Sequence, residues 1–64
     1  MNKHERGLKI RRAREHKGFS QEKVADVVGV TGSMITQVES GSKSLQFDKM
    51  KKLCILLGIN MENI

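Results

Sequence analysis

An all-α fold of five short helices follows from three features of this 64-residue sequence. Proline is absent, so nothing interrupts a helix or fixes an extended connection. Residues 21–40, QEKVADVVGVTGSMITQVES, carry Val24, Val28, Ile35 and Val38 at helical spacing on either side of Gly29. The valines of that segment are also the only β-favouring cluster, and Gly29 breaks it. A chain of this length makes one domain, residues 1–64, and buries only about 60% of its unfolded surface, which favours short-range helical packing.

The first helix is expected from about Glu5 to Lys17, with Leu8 or Ile10, then Ala13 and Phe19, as a thin apolar edge. His16 and Lys17 suit the negative end of its dipole, and Gly18 stops it. Ser20 caps the second helix, with Glu22 in its first turn. Gly29 ends that helix in a left-handed turn, Ala25 lets the next helix come close, and Val30 fills the wedge beneath. Thr31 caps a third helix that runs to Ser40 and Gly41. Two helices joined by so short a turn cross at ~90–120°. This is a helix-turn-helix, and the second member of such a pair is the one that enters a DNA major groove.

Gly41-Ser42-Lys43-Ser44 is a polar loop. A fourth helix from about Phe47 to Leu57 places Phe47, Met50, Leu53, Cys54 and Leu57 on one face, and Gly58 ends it. Ile59, Met61 and Ile64 form a last apolar set on a short fifth helix begun by Asn60.

Net charge is +5, and its distribution is uneven. Residues 1–20 carry seven basic and two acidic groups, whereas residues 21–42 carry Lys23 against Glu22, Asp26 and Glu39. The third helix has no positive charge, so phosphate attraction must come from outside it. Only Phe19 and Phe47 are aromatic, too few for a platform that stacks single-stranded bases. His4 and His16 lack the neighbours of a metal-ligand pattern. No glycine-rich phosphate loop, nucleophile elbow or paired-carboxylate site is present, so neither an enzyme nor a cofactor is implied. Cys54 lies in the apolar run LCILLG and is expected as a small buried hydrophobe; a single cysteine fits a reducing, cytoplasmic compartment. No stretch is long enough to span a bilayer, so a soluble intracellular chain is expected, cytoplasmic and, as a DNA binder, nucleoid-associated.

The segments LKIRRAREHKGFSQEKVADVVGV, ITQVESG and LLGINMENI resemble the lambda-repressor-like (Cro/repressor, XRE-type) helix-turn-helix family. The similarity runs from about Gly7 to Ile64 without a gap and is specific in combination: Arg14, Gly18-Phe19-Ser20-Gln21, Ala25, Gly29, Glu39-Ser40-Gly41 and Leu57-Gly58-Ile59. It implies a compact five-helix bundle, the third helix as reader, and an internal ion pair between Arg14 and Glu39. It also implies a sequence-specific regulator, a repressor, that binds a palindromic operator in double-stranded DNA as a homodimer through its C-terminal end. Three positions depart from the family pattern. Leu45 stands where a proline is common, Gln46 replaces a serine or threonine cap, and Gly32 replaces a long polar or basic side chain.

On this basis Thr31, Gly32, Ser33, Thr36 and Gln37 are the expected base-reading face. Gln37 is the strongest reader among them, because an amide can bond adenine N6 and N7 together. Met34 is expected either to pack or to meet a thymine methyl. Ser42, Lys43 and Ser44, with the backbone N–H groups of their loop, are the expected phosphate anchor, joined by Arg11 and by Gln21. Gln21 can alternatively brace a reader side chain. Leu56, Ile59, Met61 and Ile64 are the expected dimer surface. Two rivals come with the same fold: a protein-interaction module of antitoxin or developmental-switch type, and the DNA-binding domain of a longer repressor.

Overall fold

A computed structural model describes residues 2–64. The described chain holds four α-helices: α1 (Lys3–His16), α2 (Gln21–Val28), α3 (Gly32–Glu39) and α4 (Phe47–Leu57), followed by a 3₁₀ turn at Met61–Asn63. The expected fifth helix is therefore only that turn. Asn60 caps it by accepting from Glu62 N at 3.0 Å, but a single turn does not repay helix nucleation, and its backbone bonds close at the tighter i+3 spacing.

The caps are local chemistry. The side chains of Asn2, Ser20 and Thr31 accept from the backbone N–H of Glu5, Lys23 and Met34 at 2.8, 3.0 and 3.1 Å. Asn2 extends α1 two residues upstream of the expected Glu5. Gln46 makes no side-chain cap bond, yet α4 still begins at Phe47. Gly29, at φ 87°, ends α2 while its N–H and that of Val30 both bond to the Ala25 carbonyl. A β-carbon there would strain the left-handed residue on which the α2–α3 turn depends.

The core is one cluster shared by all four helices. Ile10 from α1, Val24, Ala25 and Val28 from α2, Ile35 and Val38 from α3, and Met50, Leu53, Cys54 and Leu57 from α4 are buried together. Helix α3 packs against both α1 and α2, and α4 closes the bundle against α2 and α1. Cys54 is buried as expected, and loss of solvent pushes its thiol pKa up. Of the two α1 candidates Ile10 is the core residue, while Leu8 faces out. Phe47 is also a correction: it was expected on the buried face but is 73% exposed. It sits in the first turn of α4, where it edges a shallow, open groove with Arg6 of α1, Leu45, Met50, Met61 and Ile64 rather than entering the core. No helix among the described residues is long and apolar enough to cross a membrane.

Candidate nucleic-acid interface

The orientation of α3 is set by a chain of polar contacts that crosses three helices. Arg14 Nε on α1 donates to Glu39 Oε2 at 2.6 Å, its Nη2 donates to Glu39 Oε1 at 3.2 Å, and its Nη1 donates to the Phe19 carbonyl at 2.7 Å. Gln21 Nε2 on α2 donates to Glu39 Oε1 at 3.1 Å. The Thr36 hydroxyl completes the chain; its proton faces both Gln21 Oε1 at 2.9 Å and the Gly32 carbonyl at 3.1 Å. Glu39 is a buried charge that accepts three bonds, two of them from a guanidinium held in a fork, the geometry that makes a buried pair tolerable. That bonding to Glu39 raises the Arg14 pKa above its ordinary value against the opposing effect of burial.

This arrangement separates the expected reading residues into two groups. Thr36 stays exposed but shares its hydroxyl with Gln21 and the Gly32 carbonyl, while Gln21, half-buried, braces that reader side chain and keeps one amide proton free. Thr31 uses its oxygen as a cap but keeps a hydroxyl proton to donate. Ser33 and the Gln37 amide have no intramolecular side-chain bond among the described residues. They stand on the side of α3 away from Ile35 and Val38. Gly32 opens the helix, and a β-carbon at that position would meet only Glu22 Cγ, at 3.9 Å. Met34 is half-buried against the core.

The loop after α3 differs from expectation in one respect. Its backbone N–H groups were expected to meet phosphate, but three of the four already have partners. Gly41 N donates to the Val38 carbonyl at 3.2 Å, and Ser42 N and Lys43 N donate to the Gln37 carbonyl at 2.9 and 3.3 Å. These bonds finish the α3 C-terminus, whose carbonyls need donors. What the loop offers outward is side chains. Lys43 is exposed and in no ion pair of the described residues, Ser42 shares a 3.0 Å bond with Ser40, and Ser44 Oγ lies 3.5 Å from Arg6 Nη1. Arg11 is exposed and pairs loosely with Glu15, 3.4 Å away on its own helix. Among the described residues no group of His, Cys, Asp or Glu is assembled to hold a metal ion.

Two contacts were not anticipated from sequence. Gly7 lies against the backbone of Val38 and Glu39, and Glu22 lies beside Gly32. A glycine inside a helix signals close approach, but it does not say to what.

The family described as Helix-turn-helix (HTH_3) matches residues 10–64, most of the chain. The chain belongs to the helix-turn-helix family, of the lambda-repressor-like type. Among solved structures it is similar to the restriction-modification controller protein C.AhdI from Aeromonas hydrophila. The two share 32% identity over 89% of this chain and 83% of that one, with a TM-score of 0.80. The clp gene regulator ClgR from Corynebacterium glutamicum superimposes with a TM-score of 0.87 at 21% identity, over 95% of this chain and 65% of ClgR, a likeness of fold alone. ComR from Streptococcus suis matches 98% of this chain at 25% identity and a TM-score of 0.84, but the match occupies only 21% of ComR. A 57-residue segment is 39% identical to part of the glutamine–fructose-6-phosphate aminotransferase of Methanocaldococcus jannaschii; it spans 88% of this chain and 5% of that protein. So small a share carries nothing about aminotransferase chemistry.

Proposed function

We propose that this helix-turn-helix chain is a DNA-binding transcriptional regulator, a repressor, that places α3 in the major groove of a palindromic operator. The observation that carries it is the lock on α3. A recognition helix must present the same side chains at the same angle to each base edge, and the contacts Arg14–Glu39–Gln21–Thr36 fix its roll from inside the bundle. They leave Thr31, Ser33, Thr36 and Gln37 toward the surface, with Gly32 allowing the backbone to come close to DNA. Lys43 beside them supplies the charge that α3 lacks, with Ser42 and Ser44 as supporting donors and Arg11 on the flank of α1. A restriction-modification controller protein is among the structural relatives, which supports the reading.

A pair of such chains would set two α3 helices in successive major grooves ~34–36 Å apart, hence an operator of approximate two-fold symmetry. Leu56, Ile59, Met61 and Ile64 are half-buried against their own core and keep apolar surface outward at the α4 end, where Ile55 is 72% exposed. A homodimer through that end would cover it. Light scattering of the free protein and of its operator complex should then report two chains. A monomer at every concentration, with and without DNA, would remove the dimer.

Selection from a randomised duplex library at physiological salt tests the whole. A palindromic motif with fixed half-site spacing is the expected result. Gln37→Ala should relax the preference at one base pair per half-site and leave the salt dependence alone. Lys43→Ala should weaken every sequence alike and lower the salt slope by about one unit. Retention of no DNA would move the function to a protein-interaction module on this fold.

A further inference from the structure

We propose that Glu22, a residue of α2, reads a cytosine through the space that Gly32 leaves at the start of α3. The inference rests on α3 being the DNA-reading helix and adds a contact from outside that helix. Gly32 is the first residue of α3 and presents no side chain. The only atom that a β-carbon there would meet is Glu22 Cγ at 3.9 Å, so the stem of Glu22 lies against the bare first turn of the reader. The carboxylate it carries is exposed and belongs to neither ion pair of the described residues. Within the chain it acts only through its charge, at the first turn of α2 and at a distance on Arg14, and it makes no side-chain hydrogen bond among the described residues.

A free carboxylate at the reading surface faces phosphate on every sequence, and that repulsion is unfavourable unless a donor answers it. The major-groove edge of cytosine offers the N4 amino group as a donor without an acceptor beside it on the same base. Adenine offers N6 but sets N7, an acceptor, next to it, while guanine shows acceptors at both N7 and O6 and thymine an acceptor at O4. An acid at this position therefore rejects guanine and thymine, tolerates adenine poorly and selects cytosine. A long polar side chain on residue 32 would fill the same space and do the reading itself; glycine there hands the task to α2.

The test is library selection with the wild-type chain, Glu22→Gln, Glu22→Ala and Gly32→Gln side by side. Circular dichroism and melting curves establish that each is folded. Residue 22 is exposed, and residue 32 lacks the positive φ that would demand glycine, so all three variants should be. The wild-type motif should carry a cytosine in each half-site, preferred on the order of tenfold. Glu22→Gln should turn that one position toward adenine, because an amide can both donate to N7 and accept from N6. Glu22→Ala should leave the position without preference, and Gly32→Gln should move it to adenine even with Glu22 present. A motif unchanged by Glu22→Gln and Glu22→Ala would overturn the proposal while leaving operator binding intact. So would a uniform gain of affinity on all sequences, which would mean that the carboxylate only repels phosphate. A wild-type chain that enriches no motif would overturn operator binding and this contact together.

Discussion

Replacing Arg14 by alanine should leave little folded protein at 25 °C. Its side chain is 11% exposed and that of Glu39 4%, and the carboxylate takes two of its three hydrogen bonds from the guanidinium. With Arg14 gone, Glu39 stays buried with the Gln21 amide as its remaining partner. Breaking a buried pair by removing one member costs ~3–5 kcal/mol, because the desolvated charge that remains is uncompensated. A chain this small has ~3–10 kcal/mol of stability in total, so the loss approaches the whole. The Phe19 carbonyl also loses its donor, which loosens the link between α1 and α2. Arg14→Lys should recover only part of the deficit, since an ammonium cannot span both carboxylate oxygens and the carbonyl in one plane. The pair Arg14→Met with Glu39→Leu should be far more stable than either single change, because two apolar groups of similar volume leave no stranded charge. Urea titrations of the wild type, Arg14→Ala, Arg14→Lys, Arg14→Met, Glu39→Leu and the double variant, read as midpoints, decide the matter. A midpoint near wild type for Arg14→Ala would show that the ion pair contributes little.

The same double variant separates stability from function. It should fold, yet α3 would have lost the anchor that Gln21 and Thr36 lean on. Reading should therefore become less selective although Ser33, Gln37 and Lys43 are untouched. The network matters to DNA recognition only through the angle at which it holds those side chains.

Much of this was legible in the sequence wherever the signal is local. Ser20 and Thr31 cap their helices because a short side-chain oxygen reaches the N–H three residues on, and Gly29 breaks α2 because it alone takes the left-handed turn without strain. The pattern of α1 was weaker, for a reason the structure makes plain. Its inward face is made of Gly7, Ile10 and Arg14, and only one of the three is a large apolar residue. A buried face built from a glycine, an aliphatic and an arginine gives almost no hydrophobic periodicity. The partner of Arg14 was supplied by family resemblance, not by spacing. Phe47 failed in the opposite direction. Periodicity gives the side of α4 on which a residue sits, but not whether the core extends to that turn. In the expected phosphate-binding loop only the backbone part of the expectation changes, because sequence cannot show that the α3 carbonyls have already taken the N–H groups of Gly41, Ser42 and Lys43. Pairs such as Gly7 with Glu39 and Gly32 with Glu22 are tertiary facts with no local trace.

Gly7→Ala should also destabilise the chain severely, against the direction that helix propensity gives. In a helix interior alanine is favoured over glycine by ~0.5–1 kcal/mol, and Gly7 has no positive φ to protect. On α1 alone the substitution would help. The tertiary environment reverses it. A β-carbon on residue 7 would overlap the Glu39 carbonyl oxygen and would stand 2.6 Å from Val38 O and 2.8 Å from Glu39 C. All three are backbone atoms, so no rotamer change relieves the clash, and α1 must move off the C-terminal turn of α3. Residue 14 lies two turns along the same helix, so that movement also stretches the fork from Arg14 to Glu39. Overpacking alone costs ~1–3 kcal/mol, more when the backbone must shift. With ~4–8 °C of melting temperature per kcal/mol in a domain this small, a fall on the order of 10 °C is expected. Thermal unfolding followed by circular dichroism measures it. Gly7→Ala at or above the wild-type melting temperature would mean that propensity outweighs contact and that α1 rides further from α3 than these distances require. A loss larger than that of Gly32→Ala, a second helical glycine with open space beside it, would tie the effect to the crossing of α1 and α3 rather than to glycine itself.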